Sequence, residues 1–132
     1  MEEIPEPLKK ILLINAIFAF ISAFLYETFF LTIILDIFGL PAFDRLYMGI
    51  FGGTQFIFGI FALLEVNRKE IKQVQLFLEM LIAWQVITII VNIYNGIVLS
   101  SVPLPLIVIW VNNAIFLVLI LINVYFYRKY RK

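Results

Sequence analysis

The sequence contains no cysteine and no histidine. Disulfides, thiol redox chemistry, ordinary zinc sites and bis-histidine haem ligation are therefore excluded. Charged residues are also scarce, since they make up 14% of the 132 residues, against about 25% in soluble domains. The Lys and Arg residues lie in short clusters near the termini and in loops, a pattern that does not indicate nucleic-acid binding. We expect no cofactor and no bound metal.

Apolar residues take the place of the missing charge. They account for 64% of the chain, against about 45–50% in a soluble domain. A soluble domain of this size has no means of burying so much apolar surface, so the sequence predicts an integral membrane protein whose main partner is the lipid bilayer. Four apolar segments, at 11–35, 46–64, 74–99 and 104–127, approach or exceed the length of about 20 residues that spans a bilayer core.

Turn residues separate these segments. Gly39 and Pro41 follow the first segment, Asp44 is a suitable N-cap for the second helix, and Pro103 suits the start of the fourth. The sequence predicts helices at about 9–37, 44–66, 71–100 and 103–128 in a single domain, 1–132. Because short connections make successive helices antiparallel, the expected fold is an all-α membrane protein, a four-transmembrane-helix bundle running up-down-up-down.

The positive charges predict an orientation. Of the 10 Lys and Arg residues, all but Arg45 fall on one side of this topology. Cytoplasmic loops carry the excess of Lys and Arg, so both termini are expected in the cytoplasm of a multi-pass protein of the cell membrane. The strong bias also disfavours a dual-topology protein.

Each predicted helix carries one stripe of small or polar residues at helical spacing. On the second helix the stripe is glycine, at Gly49, Gly52, Gly53 and Gly59. Lipid cannot satisfy an amide group, so the stripes are expected to face one another. Two interpretations stay open: hydrogen bonding between helices alone, or a polar internal cavity. The second predicts a ligand-binding set made of Asn15, Ser22, Tyr26, Glu27, Gln85, Asn92, Asn112 and Asn123.

Acidic residues within the apolar segments need partners. Glu27 lies about 16 residues into the first segment, or about 24 Å along the helix axis, where an ionised carboxylate costs at least about 2.5–3.5 kcal/mol. It is protonated, faces water, or pairs with Arg45; a structural ion pair and a functional acid are both open. Glu79 is expected to be hydrated or paired with a base, and Glu65 and Glu70 are interpreted as interfacial charges.

Two stretches carry a family resemblance. The glycine-rich "LYMGIFGGTQFIFGIFALLE" and the closing "NNAIFLVLILINVYFYRKYR" resemble the DoxX-like group of small four-helix membrane proteins, which includes the BphX-like families. The resemblance implies a four-helix bundle. Some members of the group accompany respiratory or sulfur-oxidising complexes, and no catalytic motif is available to transfer.

The favoured function is non-enzymatic: binding of a hydrophobic or lipid-like molecule in a polar-lined interior, or service as an accessory subunit, with a homo-oligomer or a membrane complex as partner. The alternative is a small proton-coupled transporter using Glu27. Small multidrug transporters also have four helices and a glutamate in the first, but the charge bias argues against their antiparallel dimers. An enzyme is not expected, because acid–base chemistry would rest on Glu27, Glu79, Asp36 or Tyr26.

Overall fold

The computed structural model describes residues 3–27, 45–98 and 103–131, with the backbone alone at 25–27, 45–49, 95–96, 98 and 103–109. These residues form four α-helices: α1 (Glu6–Glu27), α2 (Arg45–Val66), α3 (Ile71–Val98) and α4 (Pro103–Tyr130). The prediction of an all-helical, four-helix chain is confirmed for this part. The expected end of the first helix near residue 37 and the turn at Gly39–Pro41 lie outside the described residues.

Prolines mark the start of two helices. The carbonyl of Pro5 accepts the backbone N–H of Leu8 at 2.9 Å, which closes the first turn of α1. Pro7, Pro103 and Pro105 lie in the first turns of α1 and α4. The N–H groups of a first helical turn have no partner within the helix, so proline loses nothing there and its fixed φ favours the helix.

The chain divides into two compact units, Met1–Lys69 and Glu70–Lys132. In the first unit α1 packs against α2, and in the second α3 packs against α4. The expectation of a single domain over all 132 residues stays a prediction.

The first unit brings its two helices together through small residues. The buried side chains of α1 recur every three or four residues, as a helix face requires; they include Leu8, Leu12, Ala16, Ala19 and Ala23. On α2, a Cβ atom at Gly59 would lie 2.9 Å from Cε1 of Phe20, so the Phe20 ring occupies the space above the glycine. The same ring packs edge-to-face on Phe56, with centroids 5.5 Å apart. The absence of a side chain at Gly59 therefore leaves room for the Phe20 ring of α1 to pack against α2.

The second unit changes character along its length. At the start of α3 the buried side chains are apolar: Val74, Phe77, Leu78 and Leu81. Further along α3, buried Gln85, Thr88 and Asn92 continue the same face. The polar positions thus occupy places that hydrophobic residues fill in the first three turns.

The outer surfaces of the helices are apolar. Within the described residues, three stretches are long and apolar enough to cross a membrane, Glu6–Phe24, Ile71–Tyr94 and Trp110–Tyr130, and Ile50–Val66 is a shorter apolar helix. Large side chains such as Ile90 and Leu121 are 61% and 62% exposed. Exposed apolar surface on this scale is a mark of contact with lipid or another protein.

Candidate functional site

The candidate site is a row of polar side chains between α3 and α4. Gln85, Thr88 and Asn92 lie three and four residues apart, so they share one face of α3, and all three are buried. The buried face of α4 combines three asparagines with apolar side chains between them: Asn112, Asn113, Phe116, Leu119 and Asn123. Large apolar side chains such as Ile87, Ile90 and Leu121 are exposed elsewhere on the two helices, so the face between the helices is where the amides find polar partners.

Two hydrogen bonds join the helices along this row. Nδ2 of Asn92 donates to Oδ1 of Asn113 at 3.0 Å, and Nδ2 of Asn123 donates to Oε1 of Gln85 at 3.1 Å. We call these four residues the amide ladder. Each rung uses one donor and one acceptor, whereas an amide side chain carries two N–H donors and two acceptor lone pairs. In the rung between Asn92 and Asn113, part of this hydrogen-bonding capacity is unused.

Three buried polar atoms without a partner in the described part of the chain lie at or beside the Asn92–Asn113 rung. Among the residues that the structure describes, Nδ2 of Asn112, Nδ2 of Asn113 and Oγ1 of Thr88 are buried and have no hydrogen-bond partner. Thr88 precedes Asn92 by one helical turn, and Asn113 is itself part of the rung. We call Thr88, Asn112 and Asn113 the donor set. A buried polar group left without a partner costs about 1–3 kcal/mol, so the donor set is expensive unless an acceptor reaches it.

The other end of the helix pair is held by different groups. The hydroxyl of Tyr127 donates to Oε1 of Glu79, and Nε2 of Gln75 donates to the backbone oxygen of Tyr130 at 2.7 Å. Glu79 was expected to be hydrated or paired with a base. It is exposed and accepts a hydrogen bond from the hydroxyl of Tyr127, which lies opposite it on α4, and its hydration stays a prediction.

The predicted ligand-binding residues are divided between the two units. Asn15 and Ser22 are buried on α1, and Nδ2 of Asn15 donates to the carbonyl of Ile11 at 2.9 Å within the same helix. Tyr26 and Glu27 end α1, but their side chains lie outside the described residues, as does that of Arg45. The expected pairing of Glu27 with Arg45 is therefore a prediction still.

The remaining four predicted residues, Gln85, Asn92, Asn112 and Asn123, belong to the second unit and are all buried. The structure brings Gln85 and Asn123 into direct contact and gives Asn92 a partner in Asn113. Asn112 lies next to that rung and belongs to the donor set.

Sequence reasoning missed several polar residues. The predicted set contains Asn112 but not its neighbour Asn113, and it contains Gln85 and Asn92 but not Thr88, which lies between them. The signal for Thr88 was its spacing of three and four residues from those two amides.

Two further buried polar residues of α2 were also missed. Gln55 stands between Gly52 and Gly59 at helical spacing, and its Nε2 is buried without a partner within the described part. Glu65 was interpreted as an interfacial charge, but its side chain is 7% exposed and its Oε1 accepts from Nε of Arg68 at 3.3 Å. Glu65 continues the buried face of α2, but its position next to a charged loop favoured the interpretation as an interfacial charge.

The described residues offer no group of three or more His, Cys, Asp or Glu side chains placed to hold a metal ion. The chain matches no protein family, no curated protein and no solved structure. The resemblance to the DoxX-like group accordingly stays a prediction.

Proposed function

We propose that the protein is an integral membrane protein whose second unit binds a small amphiphilic molecule through the donor set. The molecule has an apolar body and carries hydrogen-bond acceptors such as carbonyl or ester oxygens. The observation that carries the proposal is the presence of buried amide and hydroxyl donors without acceptors among the described residues, at Thr88, Asn112 and Asn113.

The membrane part of the proposal has α1 to α4 crossing the bilayer with successive helices antiparallel. The length and apolar character of Glu6–Phe24, Ile71–Tyr94 and Trp110–Tyr130 support it. So does the order of contacts in the second unit, where residues 75, 79, 85 and 92 of α3 meet 130, 127, 123 and 113 of α4. Residue numbers that rise along α3 while those of the contacting residues fall along α4 are characteristic of antiparallel neighbours. The Lys and Arg distribution supports cytoplasmic termini in a cell membrane.

The depth of the donor set supports an amphiphilic ligand. In the apolar segment 104–127, Asn112 and Asn113 lie about 12–14 Å from the start at 1.5 Å per residue, which places them inside a bilayer core about 30 Å thick. Water is absent at that depth, so an acceptor has to come from protein or from a molecule that itself partitions into the bilayer. An apolar compound with one or two acceptor oxygens meets both requirements.

The chemistry of the site supports binding rather than catalysis. Amides and hydroxyls of Asn and Thr donate and accept hydrogen bonds, but none of them titrates near neutral pH. The chain offers no cysteine or histidine to serve as nucleophile or general base. A donor set of this kind orients a carbonyl-bearing molecule and leaves it unchanged.

Native mass spectrometry of gently extracted protein tests the proposal. The wild-type protein is expected to retain a reproducible non-detergent adduct, and Asn112→Leu is expected to lose it. Gln75→Leu is the matched control, because it also removes an amide from the α3–α4 pair, but one that is bonded to the Tyr130 carbonyl away from the donor set. If the adduct persists in Asn112→Leu, or if the wild-type protein carries none, the proposal is wrong and the amides serve only to hold the two helices together.

A further inference from the structure

A second concave feature lies in the first unit, away from the amide ladder. It is a cleft of about 540 Å³, bordered by the chain at the start of α1 and by the end of α2 with the turn that follows. Its charged lining consists of Lys9, Arg68, Lys69 and Glu3, and Ile4 adds an apolar wall. Three cations and one carboxylate line the cleft, while the carboxylates of Glu6 and Glu65 pair with Lys9 and Arg68 from outside the lining. The volume of the cleft lies within the range of small-molecule sites.

The cations of the cleft are available to a ligand. Nζ of Lys9 lies 3.0 Å from Oε1 of Glu6, in a pair whose glutamate is 73% exposed; such surface pairs are weak and exchange readily. Arg68 uses Nε to reach Oε1 of Glu65, which leaves the terminal nitrogens of its guanidinium to donate elsewhere. Lys69 is exposed and makes no ion pair within the described residues.

The position of the cleft adds a second argument. One apolar stretch, Glu6–Phe24, begins at the cleft, and another, Ile50–Val66, ends at it. In a membrane the ends of apolar helices lie at the level of the lipid headgroups. Basic pockets at that level on the cytoplasmic side are suited to anionic headgroups.

We infer that the cleft bounded by Lys9, Arg68 and Lys69 binds a phosphate group. A guanidinium presents a planar fork of N–H groups that matches two phosphate oxygens. The lysine ammonium groups add positive charge that attracts the phosphate. The phosphate belongs either to an anionic lipid headgroup or to a soluble phosphorylated molecule. Only the lipid source depends on the membrane location proposed above, and neither source depends on the donor set.

Lys9→Gln/Lys69→Gln is the variant that tests the inference. It removes two of the three cations and leaves the Arg68–Glu65 pair in place, so we expect the fold to be retained. Lys10→Gln/Lys72→Gln is the matched control, because it removes the same charge from two exposed lysines that do not line the cleft. Far-UV circular dichroism of both variants checks that the helices are retained.

Binding is measured by native mass spectrometry of the full chain in detergent, titrated with phosphatidylglycerol, phosphatidylcholine or inorganic phosphate. We expect wild-type protein and the control to bind phosphatidylglycerol more tightly than phosphatidylcholine. We expect Lys9→Gln/Lys69→Gln to bind phosphatidylglycerol at least about tenfold more weakly. If inorganic phosphate shows this dependence on Lys9 and Lys69 and phosphatidylglycerol does not, the cleft takes a soluble phosphate.

Two results would overturn the inference. Equal weakening in both variants would mean that the attraction comes from overall charge. Binding of neither probe, or binding unchanged in Lys9→Gln/Lys69→Gln, would mean that the cleft is not a phosphate site.

Discussion

The rung between Gln85 and Asn123 makes a quantitative prediction about the stability of the second unit. Asn123 is fully buried, Gln85 is 2% exposed, and the amide nitrogen of the first lies 3.1 Å from the amide oxygen of the second. Asn123→Leu keeps the branched shape of the side chain but removes its donor. Gln85→Met keeps the length of the side chain but removes the acceptor.

The expected cost follows from two contributions. Hydrogen bonds between membrane helices are worth about 0.6 kcal/mol on average and about 1.7 kcal/mol at most. Removing one side chain also takes from the other its partner in this rung, which adds up to about 1–3 kcal/mol for a buried polar atom. We therefore expect each single variant to lose about 1–3 kcal/mol. The double variant Gln85→Met/Asn123→Leu should lose less than the sum of the single losses, because both single variants remove the same hydrogen bond.

Unfolding in mixed micelles with increasing dodecyl sulfate measures these differences. The only two tryptophans, Trp84 and Trp110, belong to α3 and α4, so their fluorescence reports on this helix pair. We expect a coupling energy of about 0.6–1.7 kcal/mol from the double-mutant cycle.

The control cycle combines Asn123→Leu with Gln75→Met, a position about 15 Å along α3 from Gln85 at 1.5 Å per residue. Gln75 bonds to the Tyr130 carbonyl, away from the rung that Asn123 makes with Gln85, so additivity within about 0.3–0.5 kcal/mol is expected. A Gln85–Asn123 coupling no larger than that of the control would refute the claim that this rung stabilises the helix pair.

Three further predictions concern other parts of the chain. Gly59→Ala places a methyl group 2.9 Å from the Phe20 ring, so we expect a loss of about 1–3 kcal/mol from overpacking, and Phe20→Leu in the same protein should recover most of it. Arg68→Gln removes the only cation paired with the buried Glu65 carboxylate in the described part. Unfolding in micelles should show a loss of stability of about 1–3 kcal/mol, between the values for exposed and buried ion pairs. The double variant Glu65→Gln/Arg68→Gln should restore stability. Leu121 is exposed near the middle of Trp110–Tyr130, so Leu121→Arg should make the free energy of membrane insertion less favourable by about 2.5–3.5 kcal/mol, as measured by a glycosylation reporter. An effect within about 0.5 kcal/mol, as on a water-facing surface, would argue against a lipid-facing helix.

The helices were predictable because their signals are strong and local. Long apolar runs interrupted by Gly, Pro and charged turns define α2, α3 and α4 with little ambiguity. Burial of Gln85, Asn92, Asn112 and Asn123 was predictable for a related reason, since amides have no favourable place on a lipid-facing surface.

The pairing of those amides was not predictable. Periodicity places Asn112 and Asn113 only about 100° apart around α4, and which of them meets Asn92 depends on the rotation of α4 against α3. That rotation is set by packing of residues such as Phe116 and Leu119, which carry no directional signal in the sequence. For the same reason, the packing of the Phe20 ring over Gly59 could be seen only in the structure.

The central claim is that Asn112 and Asn113 donate to an acceptor on a bound amphiphile. The most direct measurement is the NMR signal of the asparagine side-chain amides, in protein labelled with ¹⁵N-asparagine and held in lipid nanodiscs. Asn112→Leu and Asn113→Leu assign the two signals by their disappearance. On addition of a total lipid extract from the native membrane, we predict downfield shifts for both, with the signal of Asn15 unchanged because its amide already donates to the Ile11 carbonyl. Signals of Asn112 and Asn113 that do not move at saturating extract would contradict the claim.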